Sequence, residues 1–305
     1  MINSIIVTNE LGRSLAIDLR HPERTGLAIT NITGIGPVKS TINVTELVTD
    51  DGGVFNSARM GTRNIVLNVR YLWVNTIEEA RLRTYEYFPI KKRLTLTFFT
   101  DSKAVQIVGY VEANDPTIFD EAAHGQISII CPNPYFYSIL DGGVQTTFFS
   151  NVESLFEFPF ENNSLNESLI EMSSSSSIFE RNIVYRGDAE VGLMMTIQIN
   201  GNVKNIRIHN LTTDKHMVLE TDKLKAIVGE EGLKSGDILT INTMKGEKSA
   251  ILYRDGKYTS VLSMLSKNTD WIEFVTGDND FAYTADEGIS NLVFKVENVM
   301  YYQGI

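Results

Sequence analysis

Apolar and polar residues alternate along much of the first half of the chain. In the segment 64–73 the alternate positions are all large and apolar: Ile65, Leu67, Val69, Tyr71 and Trp73. A period of two predicts a β-strand with one buried face. Three further runs, rich in β-branched residues, predict strands in the same way: 94–98, 105–111 and 126–131. The polar pair Asp101-Ser102 separates two of these runs and predicts a hairpin.

One segment of the first half has a helical pattern instead. Thr76 followed by Glu79 matches a capping box, in which a hydroxyl and a carboxylate satisfy free amides at the start of a helix. Pro89 stops the pattern, because proline cannot continue a helix. The spacing therefore predicts one helix over 76–88. Four residues lie near one of its faces: Ile77, Ala80, Thr84 and Phe88.

The strand pattern is interrupted between residues 33 and 63. Turn residues cluster at 33–37 and 50–53, and a strand-like run at 41–45 lies between them. The stretch 54–62 is polar and predicts a loop. Because a long loop in a compact domain is uncommon unless it has a function, we expect this one to contact a neighbouring subunit. The candidate contact residues are Asp50, Asp51, Phe55, Arg59 and Arg63.

The second half contains short strand-like runs separated by Gly, Asn and Asp turns. These runs lie at 192–200, 206–208, 238–242, 249–252 and 291–297. Turns at this frequency predict a β-sandwich. The serine run Ser173–Ser177 predicts a flexible loop or a hairpin tip. We expect a first domain over 1–138, a linker over 139–160 and a second domain over 161–305.

Composition and charge exclude several classes of protein. A chain of 305 residues is long enough for two domains, and its single cysteine excludes an internal disulfide framework. The formal net charge of −11 falls mostly after residue 138, which supports a boundary there and disfavours tight binding of nucleic acid. No apolar run approaches the ~18 residues of a membrane span. The first residues also lack a signal-peptide pattern, so we expect no membrane insertion.

Motifs for catalysis or cofactor binding do not emerge from the sequence. It has no phosphate-binding loop, no dinucleotide fingerprint and no paired-histidine zinc motif. Glu121 and His124 could share a helix face, but two ligands are too few for zinc. Cys131 ends an apolar run and is predicted to be a buried small hydrophobe. We therefore expect no catalytic residue, no cofactor and no metal.

The acidic residues allow two further hypotheses, a calcium site and a hydrolase. Asp278, Asp280 and Asp286 lie close together but lack the spacing of an EF-hand loop, so we interpret them as turn formers on a solvated edge. The 38 acidic residues allow a paired-carboxylate hydrolase, although no pair stands out from the rest. A glycosidase is therefore retained as an alternative.

A tryptophan in the second half suggests a possible sugar contact. Trp271 and Glu273 precede a Gly-Asp-Asn turn. An exposed indole can stack on the apolar face of a sugar while neighbouring polar groups bind its hydroxyls. The alternative is a core tryptophan of the predicted sandwich.

Several blocks of the sequence resemble a known family. In the first half they are Thr33–Pro37, Asp51–Phe55, Arg63–Leu67 and Ile129–Phe136. In this order they resemble the distal tail protein (Dit) family of long-tailed bacteriophages. In the second half, Gly236–Asn242, Gly246–Lys248, Asp255-Gly256, Trp271 and Gly277–Asn279 resemble the galectin-like domain of that family. His209-Asn210 and Trp271-x-Glu273 are fragments of the galectin sugar site, with different neighbours.

The resemblance implies a fold and a set of partners. It implies a mainly β protein, with an N-terminal β-sandwich ring domain that has one α-helix, and a C-terminal galectin-like, jelly-roll type β-sandwich. Six copies would form a ring at the tip of a phage tail. This homo-hexamer would join the tail tube protein to the central tail-tip protein and carry receptor-binding or baseplate proteins.

The resemblance also implies a location and a passive role toward DNA. DNA would pass through the lumen of the ring without specific binding, and a nearly neutral first half is compatible with that role. The protein would be made in the bacterial host cytoplasm and reside in the virion. It would be a structural component and not an enzyme. The alternative function is a carbohydrate-binding module that aids adsorption to the host cell wall.

Overall fold

The computed structural model describes residues 1–47, 51–117, 122–150, 152–154, 173–175 and 179–305. These residues form two compact units. The first unit consists of Met1–Gly143 together with Tyr301–Ile305, and the second consists of Val144–Met300. Both units are built mainly of antiparallel strands, so the predicted mainly β fold class is confirmed.

The first unit contains eleven strands and one α-helix among its described residues. The strands are β1 Ile2–Asn9, β2 Ser14–Asp18, β3 Leu27–Thr33, β4 Ser40–Glu46, β5 Gly53–Met60, β6 Arg63–Tyr71, β7 Arg93–Thr100, β8 Ala104–Thr117, β9 His124–Cys131, β10 Phe136–Ser138 and β25 Tyr301–Tyr302. The helix is α1, Ile77–Tyr87. The main sheet has the order β2-β1-β7-β8-β9-β6-β3, and β10 pairs with both β8 and β25.

Strand β6 shows why the sequence pattern predicts this sheet well. Its alternate residues Ile65, Leu67, Val69 and Tyr71 are all buried in the core, as the period of two predicts. The prediction that this buried face extends to Trp73 is wrong. The strand ends at Tyr71, and the side chain of Trp73 is 77% exposed.

The predicted helix and hairpin of the first unit are both confirmed. Thr76 caps α1, because its hydroxyl accepts a hydrogen bond from the backbone amide of Glu79 at 3.0 Å. Ala80, Thr84 and Phe88 are buried against the sheet. Strands β7 and β8 pair as an antiparallel hairpin, whose turn is closed by Thr100 and Lys103.

The predicted loop over 54–62 is wrong. Residues Gly53–Met60 form β5, which pairs with β4 in a separate two-stranded ribbon. Every residue of β4 is exposed, and so is every residue of β5 except the partly buried Met60. No face of the ribbon packs on the core, so its sequence lacks the strict alternation that core packing imposes.

The second unit contains fourteen strands and a second α-helix among its described residues. The strands are β11 Val144–Ser150, β12 Val152–Ser154, β13 Ser173–Ser175, β14 Phe179–Tyr185, β15 Val191–Gly192, β16 Met194–Ile199, β17 Lys204–Asn210, β18 Lys215–Leu219, β19 Ile238–Asn242, β20 Ser249–Arg254, β21 Lys257–Ser260, β22 Glu273–Phe274, β23 Gly277–Glu287 and β24 Leu292–Val299. The helix is α2, Leu224–Val228. The two larger sheets have the orders β11-β24-β16-β19-β20-β21 and β14-β23-β17-β18.

Aromatic side chains join these two sheets into a sandwich. Phe149 and Phe294 from the first sheet stack at 5.4 Å between ring centroids. Phe281 and Tyr283 come from β23 of the other sheet, and the ring of Tyr283 lies 4.3 Å from that of Phe294. All four are buried. The β-sandwich predicted for the second half is therefore observed.

Three details differ from the sequence expectations. Ser173–Ser175 form β13, which pairs with β12, and are not a loop; Ser176 and Ser177 lie outside the described residues. The predicted linker over 139–160 includes β11, a full member of the first sheet of the second unit. Tyr301–Ile305, expected in the second domain, group with the first unit.

Candidate assembly site: an amphipathic β-ribbon

The ribbon formed by β4 and β5 has two chemically different faces. Asn43 pairs with Ser57, and Val44 pairs with Phe55, so Asn56 is a bulge residue without a cross-strand partner. Two side-chain hydrogen bonds lie on the polar face: Asn43 Nδ2 donates to Ser57 Oγ at 2.9 Å, and Asn56 Nδ2 donates to Thr45 Oγ1 at 2.6 Å. These bonds fix which residues share that face. The polar face also carries one exposed apolar residue, Val54, opposite Thr45.

The opposite face of the ribbon is apolar. By alternation it carries Ile42, Val44, Phe55, Ala58 and Met60, with Ser40 at the proximal end and Glu46 at the distal end. Three of these are large and highly exposed: Phe55 at 63%, Ile42 at 59% and Val44 at 51%. We call these three residues the apolar face. An isolated two-stranded hairpin is only marginally stable in water, so burial of this face would stabilise the ribbon.

The base of the ribbon is held by a buried arginine. Arg63 follows β5 and is 1% exposed. Its guanidinium donates to four backbone oxygens, those of Gly34, Gly36 at 2.7 Å, Pro134 at 2.6 Å and Gln303 at 2.6 Å. It also lies 4.5 Å from the ring centroid of Phe136. Burial lowers the pKa of the guanidinium, while the four acceptors compensate part of the loss of water.

The turn that precedes the ribbon depends on glycine. Gly34 has a φ of +80°, which is the left-handed region, and a Cβ at this position would overlap the carbonyl oxygen of Asn64. The turn therefore brings its carbonyl oxygens to Arg63. Gly34 and Gly36 lie before β4 and Arg63 lies after β5, so one guanidinium fixes both strands of the ribbon where they leave the sheet.

The five residues predicted to contact a neighbouring subunit of the ring or the tail tube have different positions. Asp50 lies outside the described residues. Asp51 is exposed at the end of the ribbon, Phe55 belongs to the apolar face, and Arg59 lies on the polar face opposite Thr41. Arg63 as a contact residue is wrong, because its side chain is buried by internal hydrogen bonds. The sequence missed Ile42 and Val44, which only the pairing of β4 with β5 places beside Phe55.

The predicted sugar residues of the second unit lie among partners from the same chain. Trp271 is half-buried, and Lys248 Nζ lies 4.9 Å from its ring centroid. Lys215 Nζ donates to Glu273 Oε2 at 2.9 Å. The buried Asn210 donates to the backbone oxygen of Glu273 at 3.0 Å, so the two galectin-like fragments do meet in space.

The other residues considered for metal binding or catalysis do not lie together in one site of the described structure. Asp278, Asp280 and Asp286 lie within β23 and are not turn formers. Asp280 accepts from Asn182, and Asp286 accepts from Asn205 and Arg207. Glu121 lies outside the described residues. In the part of the chain that the structure describes, no group of three His, Cys, Asp or Glu residues could hold a metal ion.

Two further expectations concern Cys131 and the membrane. Cys131 is buried as predicted, and burial raises the pKa of its thiol to about 12. At neutral pH the thiol is protonated and shielded, which is the opposite of an activated nucleophile. None of the helices in the described ranges has the length and apolar character needed to cross a bilayer.

Fold and site together define a two-unit, mainly β protein whose first unit exposes a two-faced ribbon. The same fold occurs in the SPP1 Dit protein, described as a paradigm of the hub adsorption apparatus in Gram-positive infecting phages. The similarity has a TM-score of 0.61 at 11% identity and covers 97% of this chain and 98% of that chain. The expected Dit-like fold is therefore confirmed along nearly the whole sequence.

More distant similarities are to chains of the phage P2 baseplate in its activated conformation. For the baseplate structure with Ca, the TM-score is 0.42 at 13% identity, and the similarity covers 97% of this chain and 98% of that chain. With Sr the TM-score is 0.41 at 13% identity, covering 96% and 97%. No protein-family model matches the sequence, and no curated protein matches it.

Proposed function

We propose that this chain is a structural hub of a phage tail tip. The observation that carries the proposal is an exposed apolar ribbon face on a fold shared from end to end with a phage hub protein. Exposed apolar residues grouped on one face often mark a contact with another protein. The proposed role needs surfaces for assembly and no reactive group, which agrees with a shielded Cys131.

The hub would be a ring of identical copies. A ring requires heterologous contacts, in which one patch of each copy meets a different patch of the next. The ribbon supplies one such patch, since its apolar face is not covered within its own unit. The resemblance in the sequence implies six copies, placed between the tail tube protein and the central tip protein, with receptor-binding proteins attached outside. The location would be the virion.

The charge of the chain supports a passive conduit for DNA. A lumen that releases DNA quickly should lack clustered Lys and Arg, because such clusters bind phosphates. The formal net charge is −11, and the first half, which would line the ring, is nearly neutral. The proposed ring would therefore conduct DNA without retaining it.

The mass of the purified full-length chain tests the proposal directly. Six copies of a 34.2 kDa chain give about 205 kDa, which native mass spectrometry separates from smaller assemblies. The expected result is a single closed assembly whose population grows with concentration. Monomers at every concentration up to the solubility limit would refute a self-assembling hub.

A second candidate function is carbohydrate binding by the second unit. The observation that favours it is the contact between Asn210 and Glu273, which brings both galectin-like fragments together beside the half-buried Trp271. This function is compatible with the hub, because it uses a different unit. It would help the tail adsorb to wall polysaccharide.

A further inference from the structure

Trp271 and Glu273 present their side chains on the same face of the second unit. Ile272 and Phe274 alternate with them and are fully buried, so Trp271 and Glu273 point to the other side of the chain, where both are partly exposed. The buried Thr243 fixes this segment, because its hydroxyl donates to the backbone oxygen of Ile272 at 2.7 Å. The indole ring is therefore held at the surface in a defined position.

The carboxylates on either side of Trp271 in the sequence have nitrogen partners of the same chain. Glu273 Oε2 accepts a hydrogen bond from Lys215 Nζ at 2.9 Å. Asp270 Oδ2 lies 3.6 Å from Nδ1 of His216. Both carboxylates therefore already have a partner that competes with a further cation.

Lys248 supplies a positive charge directly at the indole ring. It is exposed, it lies immediately before β20, and its Nζ is 4.9 Å from the ring centroid of Trp271. Among the residues that the structure describes, Lys248 has no salt-bridge partner, so the face of the indole is what attracts its ammonium group. The flexible side chain lets the ammonium move to the rim of the ring when another molecule stacks there. An anion at that rim would gain a partner without breaking a salt bridge.

We propose that the surface around Trp271 binds an anionic saccharide, whose carboxylate or phosphate group contacts Lys248 while its apolar face stacks on the indole. This inference rests on the carbohydrate function proposed for the second unit and names the class of its ligand. A neutral sugar offers Lys248 only a hydroxyl, whereas an anionic group forms a stronger, charge-assisted hydrogen bond. Hydroxyls of the same saccharide would reach Glu273, which lies on the same face.

Binding of the purified full-length chain to a glycan array tests the ligand class. The array carries neutral glycans together with carboxylated and phosphorylated ones, so the bound set shows which anionic group is preferred. The bound glycans should be anionic. Isothermal titration then compares one bound glycan with its neutral counterpart, which is the methyl ester of a carboxylated glycan or the dephosphorylated form of a phosphorylated one. The neutral counterpart should bind about tenfold more weakly, because it lacks the charge-assisted hydrogen bond.

Variants of Lys248 assign the charge to this side chain. Lys248→Gln should bind the anionic glycan about tenfold more weakly and its neutral counterpart within about twofold of the unchanged chain. Lys248→Arg keeps the positive charge and should retain most of the binding. Lys257→Gln is the matched control, because it removes an exposed lysine from β21, and it should bind like the unchanged chain. Circular dichroism of each variant checks that the sandwich is intact.

The outcomes distinguish this inference from the proposed function. If the unchanged chain binds no glycan, the carbohydrate function and this inference both fail, while the structural hub is unaffected. If it binds only neutral glycans, and Trp271→Ala prevents this, the carbohydrate function holds and the anionic class is overturned. Anionic binding that Lys248→Gln leaves unchanged also overturns the inference. Equal losses in Lys248→Gln and Lys257→Gln do the same, because binding would then depend only on the overall charge.

Discussion

At the scale of single residues, few charged side chains of the described part of the chain are buried, and those that are buried have partners inside the fold. Arg63 illustrates this, because it replaces water with four backbone carbonyl oxygens from three separate segments. A buried charge is tolerated only when such partners are present. Without these hydrogen bonds the base of the ribbon would lose its link to the sheet.

Replacing Arg63 by Met should destabilise the first unit by about 3–5 kcal/mol, because four buried carbonyl oxygens lose their donor. The measurement is urea unfolding followed by far-ultraviolet circular dichroism. Arg59→Met is the matched control, since Arg59 is exposed on the ribbon, and should change the free energy of unfolding by less than about 0.5 kcal/mol. Equal effects of the two changes would contradict the assigned role of Arg63.

The buried thiol of Cys131 gives a prediction about pH. Its pKa is raised from 9.0 to about 12 in the fold, so the unfolded chain ionises first as the pH rises. The stabilisation is therefore complete below pH 9 and is lost between pH 9 and about 12. The stability of the unchanged chain relative to Cys131→Ala should fall across this range. A difference that is independent of pH would contradict the burial of the thiol.

Trp271→Ala should weaken binding of wall polysaccharide if the second unit binds sugar, because the apolar face of the sugar loses its stacking partner. Isothermal titration with purified polysaccharide measures this, and about a tenfold loss is expected. Trp73→Ala is the control, since Trp73 is exposed in the first unit. Absence of measurable binding by the unchanged protein would remove the carbohydrate function and leave the hub untouched.

At the scale of elements, the packing of each strand decides how well its sequence predicts it. β6 is evident because one face is buried, which forces apolar residues into alternate positions. The strand-like run 41–45 indicated β4, but β5 escaped prediction, because neither face of the ribbon packs within its own unit and the bulge at Asn56 shifts the alternation by one residue. The four hydrogen bonds from the Arg63 guanidinium to backbone oxygens could not be predicted either. Its acceptor on Gln303 is 240 residues away along the chain.

Hydrogen exchange of the ribbon should report assembly. The amides of β4 and β5 have one partner strand and no core beneath them, so in a monomer they should exchange faster than those of β7, which lies inside the sheet. In the assembled protein the ribbon should gain protection. Phe55→Asp should abolish this gain, and Ser57→Asp should preserve it. Equal protection of the ribbon in monomer and assembly would contradict its role as a contact.

At the scale of the whole molecule, the chain folds into two units with different exposed features. The first unit carries an exposed two-stranded ribbon beside its main sheet, and the second is a sandwich of two sheets joined by buried aromatic side chains. The family resemblance of short sequence blocks was sufficient to predict the shared fold. The apolar face of the ribbon was predicted only at Phe55, because the pairing of β4 with β5 that places Ile42 and Val44 beside it is not visible in those blocks.

Electron microscopy of the purified full-length chain tests the central claim most directly. The account predicts closed rings of identical copies, in which density for the ribbon of each copy touches a neighbouring copy. Fields of single particles, or rings in which the ribbon touches no neighbouring copy, would contradict it.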